Sequence, residues 1–252
     1  MEATVKTRLH LLDALRGFLI LHMIAFHGMW NLVYLFGIRA PWYTAAPGYI
    51  WQQFICWSFI LLSGFCWSMS RNHLKRGLLV FGGGAVVSLV TCVLMPENRI
   101  LFGILTCIGS CVLLMIPAEK LLRKIPAGIG AAGCFLLFAL LRNCSKGTLG
   151  FEKLVICPLP DALYRSNLTA YLGFPQRSFF STDYFPLIPW FFLFVTGYFL
   201  FRITSPRGIN EKLFARGQFP LLNWIGRHSL PVYLLHQPVL YGLGILFFEL
   251  LR

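Results

Sequence analysis

Gly226-Arg227-His228-Ser229-Leu230-Pro231-Val232-Tyr233-Leu234-Leu235-His236-Gln237-Pro238 lies inside a C-terminal segment apolar enough to cross a membrane. An arginine at the centre of a membrane helix costs about 2.5–3.5 kcal/mol on insertion scales. Arginine and histidine retained there are expected to face a protein interior, a water-filled cavity or a bound substrate. The N-terminal segment repeats the pattern, with Asp13, Arg16, His22 and His27 threaded through an apolar run. Two polar stripes in one apolar chain predict a catalytic or transport core within a membrane rather than a passive anchor.

The rest of the chain agrees. Of its 252 residues, 57% are hydrophobic and 12% are charged, about half the charged share of a soluble domain. A helical span needs about 20 apolar residues. Runs of that kind fall near 11–36, 49–70, 77–95, 100–117, 126–142, 184–203 and 228–250. The predicted fold is therefore all-α, a polytopic transmembrane bundle of about seven spans. It forms one domain over 1–252, with no internal repeat. No cleavable signal peptide is expected, because the first apolar run is long, carries charges and has no small-residue cleavage site.

The net charge is +13. In short loops between spans, basic residues read as topology signals and contacts to anionic lipids, so no nucleic-acid partner is expected. With the N-terminus cytoplasmic, thirteen Lys and Arg fall inside and eight fall outside or at that boundary. The positive-inside rule favours that orientation, which places the C-terminus and the long 143–183 segment externally. The eight cysteines have no zinc spacing, and no metal is expected. Cys144 and Cys157 share the 143–183 segment and can pair if it faces an oxidising space.

A helix advances about 100° and 1.5 Å per residue. On that basis Asp13, Arg16, His27 and Asn31 line one side of the first span, with Asp13 and Arg16 close enough to pair. His22 points elsewhere and reads as structural. Arg16 falls near the cytoplasmic edge and His27 lies ~16 Å further along the axis. The layout suits acyl transfer across a bilayer. A cation near the cytoplasm holds an anionic donor such as acetyl-CoA, and a histidine further out serves as general base or carries the acyl group.

In the last span, His236 is about 12 Å deep, and Pro231 and Pro238 free backbone carbonyls. Arg227 and His228 sit at the cytoplasmic mouth, where the phosphates of a nucleotide-like donor would lie. Gly82-Gly83-Gly84 reads as close helix packing, and it is not a phosphate loop because no Gly-Lys-Ser/Thr follows. Arg99 and Asp183 carry opposite charges at outer turns and are candidates to flank an acceptor. Tyr184 and Asn31 join them as candidate acceptor ligands.

Several of these blocks together resemble a known family. Leu12-Asp13-Ala14-Leu15-Arg16-Gly17 with Phe26-His27 is similar to the first span of integral membrane acyltransferases. Phe102-Gly103-Ile104-Leu105, Asp183-Tyr184-Phe185-Pro186-Leu187-Ile188-Pro189-Trp190 and Gly226 through Pro238 narrow the resemblance. Together they look like the small bacterial relatives of heparan-alpha-glucosaminide N-acetyltransferase. The resemblance implies a polytopic helical fold, cytoplasmic acetyl-CoA and acetyl delivery to an amino sugar on the far side, with a homodimer as a further implication. Lysosomal members carry their key histidine after the first span. Residues 37–58 contain none, so His27 is the candidate by position and chemistry. The resemblance also leads one to expect His or Gln after Leu105, where this chain has Thr106.

The resulting expectation is an acyl-CoA-dependent membrane acetyltransferase. Arg16, Arg227, His228 and Arg76 bind the donor, while His27, His236 and Asp13 serve the chemistry. The alternative is a transporter or flippase of a sugar- or lipid-linked substrate using the same polar core.

Overall fold

A computed structural model describes residues 9–209, 214–215 and 219–250. Lys6, Arg8, Lys212, Arg216 and Arg252, used above in the orientation argument, lie outside the described residues. The chain is mostly helical. The long helices are α1 (His10–Trp30), α2 (Ala46–Phe65), α3 (His73–Leu94), α4 (Ile104–Leu122), α5 (Ala127–Leu140) and α6 (Leu187–Thr204), followed by the short α7 (Pro220–Arg227) and α8 (Ser229–Leu250). Among the described residues, seven helical stretches are long and apolar enough to span a membrane. They coincide with the seven expected runs.

The fourth span departs most from the sequence expectation of 100–117. Phe102 takes a left-handed backbone, φ 56°, so residues 100–103 form a turn. The helix starts at Ile104, whose N–H is accepted by the Asp183 carboxylate at 3.2 Å. At the other end it runs past Pro117 to Leu122. There the guanidinium of Arg202 donates to the carbonyls of Leu122, Arg123 and Ile125 at 3.0–3.1 Å, satisfying carbonyls that the helix end leaves unpaired.

The chain divides into two compact units. The first comprises Met1–Phe59 and Thr204–Arg252. Its core is Ile20, Met23, Ile55 and Ile225, with Phe26, Trp51, Phe59 and Tyr233 packed around them. Here α1 meets α7 backbone to backbone. A Cβ on Gly17 would sit 2.0 Å from the Leu222 carbonyl oxygen, and one on Gly226 would sit 1.8 Å from that of Asp13. Only glycine permits this approach. α1 ends in a π-helical turn, Asn31–Leu35, closed by Phe36 N–H donating to the Asn31 carbonyl at 3.0 Å.

The second unit is Ile60–Ile203. Its α3 and α4 pack closely, and a Cβ on Gly84 would lie 2.6 Å from the Thr106 nitrogen. Within the Gly82–Gly84 run, Gly84 thus serves helix packing, whereas nothing lies within 4 Å of a Cβ on Gly82. Thr106 fills the position facing Gly84 and is buried.

The 143–183 segment carries an antiparallel hairpin, β1 (Thr148–Phe151) and β2 (Leu154–Pro158), with a bulge between Leu149 and Gly150. This small sheet is an addition to the all-helical expectation. Asn143, buried, holds the hairpin turn by donating to the Glu152 carbonyl at 3.0 Å. Cys144 and Cys157 are unpaired: Cys144 is buried, with its Sγ 3.4 Å from the Ile188 carbonyl oxygen, while Cys157 is exposed on β2 opposite Leu149.

Candidate functional site

The polar stripe of α1 is built in the first unit. Arg16 Nη1 lies 3.2 Å from Asp13 Oδ1, the i, i+3 pair expected from the spacing. The same nitrogen approaches the Gly226 carbonyl at 3.4 Å, which the Gly17–Gly226 contact makes reachable. This brings Arg16 to the C-terminal end of α7, beside Arg227 and His228. Arg227 Nε donates to the Asn223 carbonyl at 3.0 Å, and the His228 ring lies 2.9 Å from the Trp224 carbonyl. Both side chains are exposed. Three basic side chains thus collect where helix carbonyls run out, a position that favours cations.

His27 and His236 meet at the other end of the stripe, with ring centroids 5.0 Å apart. His27 touches Phe26 and His236 through its ring. His236 is buried and its Nδ1 contacts the Tyr233 carbonyl. A carbonyl only accepts, so in the neutral ring Nδ1 carries the proton and Nε2 carries the lone pair. That Nε2 is buried and has no partner. One turn beyond His27, Asn31 is only 2% exposed, and its Oδ1 accepts from Gln237 Nε2 at 2.7 Å. Asn31 Nδ2 and Gln237 Oε1 have no partner. His22, off the stripe, accepts from Trp51 Nε1 at 3.0 Å among the rings of Phe18 and Phe54.

The remaining candidates belong to the second unit. Arg76 stands in the first turn of α3, ~27 Å along the axis from its last residue Leu94 at 1.5 Å per residue, and Arg99 follows that far end. Arg99 and Asp183 do not form an ion pair. Arg99 donates to the Pro96 carbonyl at 3.4 Å and lies over the Phe180 ring. Asp183 caps α4 through Ile104, and burial pushes its carboxyl up to about 6 against the pull of that N–H. The Tyr184 hydroxyl donates to the Ala170 carbonyl at 2.5 Å, and burial raises it as well. Asp183 thus clamps 180–185 against 98–104, helped by Thr182 N–H to the Arg99 carbonyl and Phe185 N–H to that of Phe102, while Tyr184 ties the same stretch to Ala170.

Sequence reasoning passed over Gln237 and the π turn at Asn31. Gln237 stood inside the decisive C-terminal run, directly after His236 and before a proline, and that context was its signal. The π turn has no comparable signature in the sequence. Among the described residues, no group of three His, Cys, Asp or Glu could hold a metal ion.

Residues 8–238 match the family described as heparan-alpha-glucosaminide N-acetyltransferase, catalytic. No curated protein and no solved structure matches the chain. The matched stretch runs from before α1 through His236 and Gln237, so it takes in both polar stripes and six of the seven apolar spans in full. The chain therefore belongs to the heparan-alpha-glucosaminide N-acetyltransferase catalytic family.

Proposed function

We propose that the chain transfers an acetyl group from cytoplasmic acetyl-CoA to the amino group of a sugar on the opposite side of the membrane. The observation that supports this reading is the contact of His27 with the buried His236, which has an unpartnered imidazole nitrogen inside a membrane-spanning segment. A helix-packing histidine finds a partner for its ring nitrogens, because an unsatisfied polar atom in an apolar interior costs about 1–3 kcal/mol. A histidine waiting for a reacting group keeps one nitrogen open.

Arg16 and Arg227, with His228, supply the positive charge for the phosphates of CoA. Phosphate binds such cations through charge-assisted hydrogen bonds. Asp13 orients Arg16 through their ion pair. The acceptor nitrogen attacks the thioester carbonyl carbon, a C–N bond forms, and imidazole takes the proton released from nitrogen. The C–S bond then breaks, and imidazolium returns the proton to the departing CoA sulfur, so the histidine ends as it began. An acetyl-histidine intermediate at His27 is the two-step version of the same transfer. Arg99, Asp183 and Tyr184 shape the turns of the second unit.

The test is acetyl transfer by the purified protein to glucosamine and to hydroxyl acceptors, with CoA binding followed by calorimetry. Turnover with CoA binding supports the reading. A protein that binds neither acetyl-CoA nor CoA, but moves a sugar across vesicles, is a transporter. The proposed orientation has a cytoplasmic N-terminus and an external 143–183 loop. Single cysteines at Lys124 and Lys153 should label from opposite faces, and labelling of both from one face overturns it.

A further inference from the structure

The unpartnered atoms beside the histidines have a definite hydrogen-bonding count. Asn31 Oδ1 and one N–H of Gln237 satisfy each other at 2.7 Å. What remains is one amide nitrogen with hydrogen to give, Asn31 Nδ2, and one carbonyl oxygen able to accept, Gln237 Oε1, both buried and unused. Turning both amides over exchanges the two roles and leaves the same pair of free groups. His236 Nε2 adds a second free acceptor, since its Nδ1 is committed to the Tyr233 carbonyl. The residues that carry them are linked: Asn31 is one turn from His27, His27 is in contact with His236, and Gln237, next to His236 in sequence, bonds Asn31. His27 and Gln237 are only half-buried, so the cluster is not sealed within the core of its unit.

Counting only the atoms with no partner at all, a complement to this cluster brings at least one acceptor atom and two hydrogens. A thioester carbonyl oxygen supplies the acceptor atom. A neutral primary amine supplies two N–H groups and still points its lone pair at the carbonyl carbon. A hydroxyl supplies one hydrogen and would leave a buried carbonyl unsatisfied, at a cost of about 1–3 kcal/mol.

We propose that the Asn31–Gln237 pair selects the acceptor. Its free amide N–H meets the thioester oxygen, while its free carbonyl, Gln237 Oε1, accepts the second N–H of a primary amine and so favours amines over alcohols. The proposal rests on the acetyltransferase reading above. It assigns to Gln237 a specificity role and not the proton transfer, which stays with the histidines.

The experiment compares kcat/KM of the full chain, in detergent or nanodiscs, for glucosamine, N-methylglucosamine and glucose. N-methylglucosamine keeps one N–H and so reports the second hydrogen without any mutation. Wild type should prefer glucosamine over N-methylglucosamine by about 10-fold or more, the size of one unsatisfied buried group. Gln237→Leu and the closer-fitting Gln237→Met should lower turnover of glucosamine by a similar factor more than that of glucose, and erase the discrimination against the methylated amine. Gln237→Glu, which keeps an acceptor oxygen, should retain the preference. Equal losses on all three acceptors, or wild-type indifference to the methyl group, would overturn the proposal and leave the acetyltransferase reading standing. A wild type that acetylates none of the three overturns both.

Discussion

The two units solve the same packing problem and differ in what they do with buried polarity. Each brings two helices into backbone contact through glycine, Gly17 with Gly226 in the first and Gly84 with Gly109 in the second. In the second unit, polar side chains on the buried faces are largely consumed by the protein. The Ser110 hydroxyl donates to the Thr106 carbonyl at 2.6 Å and accepts from the Tyr171 hydroxyl at 2.6 Å, and Thr196 returns to the Phe192 carbonyl at 2.9 Å. Trp67 Nε1 reaches the Val112 carbonyl. The unsatisfied atoms there, such as His73 Nδ1 and Asn143 Oδ1, are scattered. In the first unit three of them converge on one turn of α1 and one of α8. A satisfied polar network rigidifies a core, whereas a convergent set of open atoms marks a place for a ligand. On that difference rests the proposed division, architecture in the second unit and chemistry in the first.

The largest expected effect tests what the units share. Gly226→Val and Gly84→Val each put side-chain atoms where backbone already stands. Overpacking a core costs about 1–3 kcal/mol, and backbone contact at this range leaves little room to relax. Both variants should lose folded protein, read as loss of a monodisperse peak in detergent. A Gly226→Val protein that stays folded and active would show that the α1–α7 contact is dispensable, and would remove the reason Arg16 reaches α7.

The next effect separates the units. His27→Ala and His236→Ala should lower acetyl transfer by ~10²–10⁴-fold, the usual worth of a general base, with CoA affinity and thermal stability near wild type. Ser110→Ala should do the reverse. It strands the Tyr171 hydroxyl and lowers stability by about 1–3 kcal/mol, while turnover per folded molecule stays within a few-fold. Histidine variants that lose stability and activity in parallel would return His27 and His236 to the class of packing residues.

Much of this was legible beforehand because it follows from local rules. Span positions come from runs of apolar residues, and the Asp13–Arg16 pair comes from helical spacing. The His27–Asn31 face needed only the 100° step. What was not legible depends on contacts between distant stretches. The start of the fourth span at Ile104 depends on a carboxylate 79 residues away, and its end depends on Arg202. Asp183 and Arg99 looked like partners by charge, yet each found a nearer backbone group. The Asn31–Gln237 bond joins residues 206 apart in sequence. A π turn begins at Asn31, and no side-chain pattern announces an inserted residue in a helix.

At the other end of the stripe, Arg16→Ala and Arg227→Ala should each weaken CoA binding by about 10–100-fold, the range of a lost hydrogen bond to a charged group. Dephospho-CoA should lose less from whichever arginine holds the 3′-phosphate. The measurement is calorimetric titration of the folded variants. Unchanged affinity in the double variant would reject the cluster at the end of α7 as the donor site and confine the function of the first unit to its histidine end.

The smallest effect lies in the second unit and concerns pH. Asp183 titrates at about 6 in the folded chain because burial disfavours its charged form more than the Ile104 N–H supports it. In the unfolded chain an aspartate titrates near 4. The folded state therefore holds this proton more tightly. The contribution to stability is fully present below about pH 4, declines as pH rises through about 6 and is flat above. Asp183→Asn keeps an oxygen to cap Ile104 and removes the charge, so the variant should lack that decline. The readout is the difference in Tm between variant and wild type, which cancels groups common to both. It should be near zero at pH 4 and grow in favour of the asparagine by pH 7, to at most about 5–10 °C, since two pKa units correspond to about 2.7 kcal/mol and each kcal/mol shifts Tm by about 2–4 °C in a chain of this size. A difference of opposite sign would mean that the carboxylate gains from a cation, and would restore Arg99 as its partner. Should catalysis respond to Asp183→Asn as strongly as to His27→Ala, the division between an architectural and a chemical unit would fail, because the 180–185 clamp would then belong to the reaction.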